Sequence, residues 1–215
     1  MARTAYSPGR AVRKPMYKKR KLIVKPGFLL VAAFVCYFNM GNILYPVAAA
    51  VAVHEAGHYI GMKALSVKVE RVVLGCAGPA FIYSSGTVPY KKEIIIAAAG
   101  PAAGLLLSLA AAAAGKNWNN VWDMYYLSGV SLSLSLFNLL PALPLDGGRI
   151  AKAIVMSRFD VIKGERIMGA LNMAVVCILL IAGIYIFAVT KRNFTLLVVA
   201  LWLFWLYTVG YKKEE

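Results

Sequence analysis

Acidic residues are scarce in this chain, 9 among 215, and charged residues of either sign make up only 15%. Apolar residues reach 60% and mean hydropathy is +0.68. Such a balance excludes an ordinary water-soluble domain. Cysteine is rarer still, and Cys36, Cys76 and Cys177 lack the paired spacing of a thiolate metal site. Two of them fall in apolar runs, where packing is their role. No periodic repeat is present, which excludes a solenoid, and the loops are too short for a separate soluble domain.

What remains is a membrane protein. Apolar runs long enough, or nearly so, to cross about 30 Å of hydrocarbon lie at about 27–44, 46–64, 94–114, 124–140, 167–190 and 194–211. The expected fold is therefore an all-α polytopic membrane protein of about six transmembrane helices. Lys and Arg number nine before the first run, five at 63–92, five at 149–166 and two at the C-terminus, against three (Lys116, Lys191, Arg192) in the opposite loops. The positive-inside rule then puts both termini and both long loops in the cytosol. The expected organisation is a disordered basic cytosolic tail at 1–26, a membrane-embedded domain at 27–211 and a short cytosolic tail at 212–215. The formal charge of +15 is largely this topological signal.

The tail at 1–26 carries no acidic residue. A polybasic stretch beside a membrane helix meets anionic lipid more readily than nucleic acid, and no nucleic-acid partner is expected. Its composition also resembles an organelle transit peptide, but it shows little amphipathic periodicity. No signal-peptide cleavage site precedes the first apolar run, so that run is expected to remain as a helix. The largest non-helical insert, at about 66–91, has β-branched and aromatic residues (Val67, Val69, Val72, Val73, then Phe81, Ile82, Tyr83, Val88) flanking Gly-Cys-Ala-Gly-Pro. That pattern predicts a small cytosolic β-hairpin or re-entrant β-loop between the second and third helices, with an irregular surface loop as the alternative.

Against this apolar background the segment "AVAVHEAGHYIGMKAL", residues 50–65, stands out. His54 and His58 are one helical turn apart on one face and can both reach one metal ion. Glu55 lies about 100° round the helix, where a long side chain can reach a water on that metal without ligating it. Ionisable groups at membrane depth are expensive and functional by default. These are the only two histidines in the chain. A catalytic zinc needs a third protein ligand and leaves a position for water. Apart from Glu55, the remaining acids fall in loops, helix ends or the tail, except Asp146 in "FNLLPALPLDGGRI". There Pro141 and Pro144 prevent a regular helix, and Gly147 and Gly148 allow an unusual backbone around the carboxylate. Such broken backbone belongs inside protein or beside a wet cavity; the bland alternative is a helix end with turn residues at the cytosolic surface. Ser128, Ser131, Ser135 and Asn138 share a helical face leading towards Asp146, read for the serines as helix packing or function. Gly100 and Gly104 form a small-residue face read as packing.

HEAGH on one membrane helix, the hairpin-like insert, "AAAGP" opening another helix and "NLLPALPLDGG" after a third resemble, in that order, the site-2 protease family of intramembrane zinc metalloproteases. The resemblance covers roughly 28–166. The six-helix plan looks most like the branch that includes a sporulation protease processing a membrane-associated sigma-factor precursor. It implies one zinc per chain held by His54, His58 and Asp146, Glu55 as catalytic base, and Asn138 near the substrate. No PDZ domain and no pair of CBS repeats is recognisable, so substrate selection and regulation do not carry over.

The expected activity is zinc-dependent hydrolysis of a peptide bond in or near a transmembrane segment of a membrane protein. A substrate helix hides its peptide bonds and must unwind, and a strand edge of the insert, at Phe81 and Ile82, could hold it extended. The expected location is the plasma membrane of a prokaryote, multi-pass. A membrane zinc transporter would continue a polar stripe across the bilayer, which the fifth and sixth apolar runs do not offer. An inactive membrane scaffold would have degraded motifs, whereas every catalytic position is intact.

Overall fold

A computed structural model of the chain describes residues 22–24, 44–75, 78–83, 88–116 and 121–211. Their order is β1 (Leu22–Val24), α1 (Leu44–Ala64), β2 (Val69–Gly75), β3 (Gly78–Tyr83), α2 (Tyr90–Gly115), α3 (Val121–Asn138), α4 (Asp146–Met156), α5 (Val161–Thr190) and α6 (Thr195–Tyr211). Helices α1, α2, α3, α5 and α6 fall on five of the six apolar runs. The expected first span at 27–44 lies outside the described residues apart from its last. Two described helices, α2 and α5, are long and apolar enough to cross a membrane by length and composition.

Among the described residues, many large apolar side chains are exposed while His54, His58, Ser131, Ser135 and Asn172 are buried. On α1 the buried residues are Ala50, His54, Gly57, His58, Gly61 and Met62, while Val51, Tyr59 and Ile60 are exposed. On α5 the exposed positions include Ile178, Ile181, Ile184 and Tyr185, and Asn172 is fully buried. Exposed apolar side chains in this number suit hydrocarbon rather than water.

Helices α1, α2 and α3 form the central layer, and the small residues explain how closely they approach. A methyl group built on Gly57 would lie 2.5 Å from the Ala99 carbonyl oxygen and 2.7 Å from Ala103 Cβ, and one on Gly61 3.1 Å from Ala99 Cβ. Between α2 and α3 the contact is a polar seam. Ser131 Oγ donates to the Gly104 carbonyl at 2.8 Å and Ser128 Oγ to the Ser108 carbonyl at 2.9 Å. The serine face of α3 is thus helix packing, and Gly104 leaves the space that Ser135 Oγ occupies.

Two expectations need correction. Residues 149–166, read as a cytosolic loop, contain most of α4 and the first residues of α5. Helix α4 has only 11 residues, with Asp146, Gly147, Gly148 and Ala153 on its buried face, too short and too mixed to register as an apolar run. The tail at 1–26 was expected to be disordered, but residues 22–24 form β1, which pairs in parallel with β2, Leu22 opposite Val72 and Val24 opposite Leu74. The rest of that tail, and the tail at 212–215, lie outside the described residues. In the insert, β2 and β3 pair antiparallel, with Arg71 opposite Ile82 and Val72 opposite Phe81. The sheet order is β1-β2-β3, so β2 is covered on both sides.

The segment between α3 and α4 is held by a second cluster. Ala142 and Leu145 pack with Val175 and Val176 of α5 and Leu203 of α6. The Leu143 amide donates to Asn172 Oδ1 at 2.7 Å. Asp160 caps α5 by accepting from the Lys163 amide.

Gly57→Ala should destabilise the purified protein in detergent by the ~1–3 kcal/mol typical of an overpacked contact, read as a lower apparent Tm. Gly129→Ala, with nothing within 4 Å of the added methyl, should match or exceed the wild type because alanine favours a helix interior. Equal Tm values for both variants would show that the α1–α2 approach is not tight.

Candidate metal centre

Two elements bring three polar groups to a common point. His54 and His58 project from the buried face of α1, one turn apart, and Asp146 from the first turn of α4. Their Nε2, Nε2 and carboxylate oxygens all lie within 4.8 Å of one another. Asp146 Oδ2 is 3.0 Å from His54 Nε2 and 3.1 Å from His58 Nε2, and the two Nε2 atoms are 3.2 Å apart. The imidazole planes meet at 81°, so the two nitrogens aim at one spot from different directions. All three side chains are buried.

The donor set fits a metal ion on its own chemistry. His58 Nδ1 donates to the Ile96 carbonyl at 2.8 Å, which in the neutral ring puts the proton on Nδ1 and leaves a lone pair on Nε2. That lone pair faces the oxygen lone pairs of a carboxylate across about 3 Å. Two acceptors buried against each other need a cation between them. A carbonyl partner on the far nitrogen is also how a metal-binding imidazole is commonly held. Two nitrogens and one carboxylate oxygen make a three-ligand set of the kind that holds catalytic zinc with one position open.

Helix α2 shapes this centre without supplying a donor atom. Gly100 lies so close to His58 that any side chain there would overlap the imidazole. Glycine at this position is therefore more than the packing residue that its spacing from Gly104 suggests: it makes room for the ring. The expected role of Gly147 and Gly148 changes too. Both are helical and lie in the first turn of α4, and a Cβ on Gly148 would meet the Ala142 carbonyl oxygen at 2.5 Å and the Leu143 amide nitrogen at 2.6 Å. Close approach of backbone to backbone, rather than unusual dihedrals, requires the pair. The carboxylate of Asp146 sits at the positive end of the α4 dipole, which favours its charged form.

Glu55 follows His54 on α1 and is half-buried. Asn138 ends α3, and its Nδ2 donates back to the Leu134 carbonyl at 3.0 Å. Phe81 and Ile82 lie in β3. A groove of about 630 Å³ runs along α3 between Tyr125, Gly129, Ser133 and Phe137 and touches none of the three donors. Two residues escape a reading of sequence alone. Arg149 Nη1 donates to Asp146 Oδ1 at 3.2 Å, and its Nη2 and Nε donate to Glu93 Oε1 at 2.7 and 3.0 Å. The three-residue step from Asp146 to Arg149 is an ordinary helical ion-pair spacing that could have signalled the first contact. Nothing local signals Glu93.

Residues 111–182 match the model of peptidase family M50. A zinc metalloprotease of Methanocaldococcus jannaschii is 30% identical over 159 residues, 72% of this chain and 45% of that protein. The stage IV sporulation protein FB of Bacillus subtilis is 26% identical over 151 residues, 68% of this chain and 52% of that protein. The chain thus spans about half the length of either relative. Among solved structures, the site-2 protease from Methanocaldococcus jannaschii superimposes with a TM-score of 0.64 at 26% identity, over 88% of this chain and 91% of that one.

Zinc analysis of the purified protein should find one ion per chain, strongly reduced in His54→Ala, His58→Ala and Asp146→Ala. Gly100→Ala should reduce it as well, although its methyl group cannot bind metal, because the ring of His58 has nowhere else to go. Full zinc content in Gly100→Ala would show that the imidazole is not held where α2 leaves room for it.

Proposed function

We propose that this chain, which is similar in sequence and fold to the site-2 protease from Methanocaldococcus jannaschii and matches the peptidase family M50 model over residues 111–182, is an intramembrane zinc metalloprotease that hydrolyses a peptide bond in or near a transmembrane segment of a membrane protein. The observation that carries this reading is the convergence of His54 Nε2, His58 Nε2 and Asp146 Oδ2 in a buried site. These three atoms would hold zinc, which would supply Lewis acidity and make water acidic enough to act as a nucleophile near neutral pH. Glu55, next to His54 and outside the donor set, accepts a proton from the attacking water and returns it to the leaving amine. His58 stays in one tautomer through its bond to the Ile96 carbonyl, and Gly100 keeps its ring in place.

The six-span arrangement, with both termini and the sheet on the cytosolic side, is supported by the distribution of Lys and Arg and by five described helices of 17 to 30 residues. In the plasma membrane of a prokaryote the basic residues of 1–26 then meet anionic headgroups. Asn138, at the end of α3 and eight residues before Asp146, borders the path of the substrate.

A substrate helix has to be opened before its peptide bonds are accessible. The sheet offers a means. One side of β2 is taken by β1 and the other by β3, so within the hairpin the outer edge of β3 is the one on which an unwound segment adds as a further strand. Phe81 and Ile82 are adjacent in β3, and adjacent residues of a strand direct their N–H groups to opposite sides. One faces β2 and the other faces the incoming chain.

Glu55→Gln should keep its zinc and lose roughly 100-fold or more in turnover, the scale for removing a general base. Quantitative membrane proteomics of cells carrying the wild-type or Glu55→Gln protein identifies the substrates as precursors that accumulate. An unchanged cleavage rate in the Gln variant would remove Glu55 from the mechanism.

Proline at whichever of positions 81 and 82 faces outward should impair cleavage while leaving zinc content and Tm nearly unchanged, since edge strands tolerate proline. Proline at the other position should destabilise the hairpin. Wild-type cleavage by both variants would make the sheet a passive loop.

A further inference from the structure

Asp146 offers two oxygens, and only Oδ2 faces the imidazole nitrogens. The last torsion of an aspartate is broad and roughly two-fold, so nothing intrinsic to the side chain fixes which oxygen points where. In this protein Oδ1 is held by Arg149 Nη1. The guanidinium is itself held from the opposite side, because Nη2 and Nε both donate to one oxygen of Glu93, in the first turn of α2. The arrangement is a three-residue chain, Glu93 to Arg149 to Asp146, that links the start of α2 to α4.

The planar fork of arginine makes this geometry possible. Its donors diverge in fixed directions, so one side chain can engage two carboxylates at once, which a lysine ammonium on a flexible stem does less rigidly. The charges also matter. A bare guanidinium beside a metal-binding carboxylate would compete with the metal for that carboxylate and repel a divalent ion. Glu93 offsets that positive charge where it is closest. All three groups are part-buried or buried, so solvent screens them only partly: side-chain exposure is 27% for Arg149, 22% for Glu93 and 8% for Asp146.

We infer that Glu93 and Arg149 act as one unit that positions Asp146 for metal binding, with Arg149 fixing the carboxylate and Glu93 fixing and neutralising Arg149. The inference rests on the reading of His54, His58 and Asp146 as a zinc site and adds two residues outside that donor set. It also gives helix α2 a hold on both sides of the centre. Glu93, Ile96 and Gly100 follow one another at steps of three and four, along one face of the helix. The first acts on Asp146 through Arg149, and the other two act on His58.

The test is zinc affinity, measured by chelator competition on the detergent-purified full-length protein, with cobalt substitution as a spectroscopic readout of the ligand arrangement. Arg149→Ala and Glu93→Ala should each weaken zinc binding by about 10- to 100-fold, the usual consequence of removing a group that orients a metal ligand. The double variant should be no weaker than the worse single one, because the two residues act in series. In the cobalt-loaded proteins both single variants should shift the visible absorption bands in the same direction. Lys152→Ala provides the control, since it removes another ion pair of α4, to Glu165 at 3.0 Å, away from the centre. It should leave affinity and spectrum unchanged. If Arg149→Ala and Glu93→Ala bind zinc as Lys152→Ala does, or if their effects multiply in the double variant, the positioning unit is refuted while the zinc site stands. If the wild-type protein binds no zinc, the site itself is misread.

Discussion

The structure depends on how near α1 and α2 come to each other. Side chains usually keep helix axes 8–10 Å apart, but on α1 the contact is made by Gly57 and Gly61 and on α2 by Ala99 and Ala103. In hydrocarbon there is no hydrophobic gain from bringing two apolar helices together, so their association relies on dispersion and on hydrogen bonds between polar side chains and backbone. Dispersion falls off steeply with separation, and a gap of half an ångström already forfeits a substantial part of it. A glycine face is therefore a condition of tight association as well as an absence of bulk. With the backbones this close, His58 reaches the Ile96 carbonyl and fits over Gly100.

Once α2 is set against α1, it organises the rest. Its serine-bonded seam fixes α3, whose C-terminus leads into the segment ending at Asp146. Each hydrogen bond of this sort is modest, ~0.6 kcal/mol on average within membranes, so the seam sets register more than it sets stability. The segment from 139 to 145 is gripped from the other side by Val175, Val176 and Leu203 and by the Asn172 side chain. Asp146 is thereby placed by two independent sets of contacts, one on the α2 side and one on the α5 side. A residue that must hold its carboxylate steady among buried imidazoles benefits from both.

The residues of the centre were legible because ionisable groups in an apolar chain are conspicuous. Two histidines one turn apart, a glutamate beside them and one remaining acid at membrane depth left few ways to assemble a three-ligand site. What surrounds them was not legible. The Ile96 carbonyl belongs to every helix sequence alike, and Gly100 reads as an ordinary packing glycine until His58, 42 positions earlier, is seen against it. Helix α4 was hidden because hydropathy over a long window averages its polar and apolar faces. The five long helices were found to within a few residues at most ends, since a run of apolar residues is itself the physical requirement for crossing hydrocarbon. Strand β1 has no local signature at all: three apolar residues after a basic stretch become a strand only by virtue of Val72, Val73 and Leu74.

That last pairing bears on the order in which the molecule assembles. The strands β2 and β3 are separated by two residues and can join as soon as both exist. Strand β1 is synthesised first but must wait for its partner, which follows after 44 intervening residues that include α1. For a flexible connection each doubling of length adds about 0.6 kcal/mol to the closure entropy, or about 3 kcal/mol between the two cases. Prior formation of α1 shortens the effective loop and reduces that difference. The hairpin is thus the local, early part of the sheet, and the three-residue parallel strand is its late addition. Elements held by few contacts are also among those that open most readily under native conditions. Of the two sides of β2, the one facing the N-terminus is the more readily uncovered.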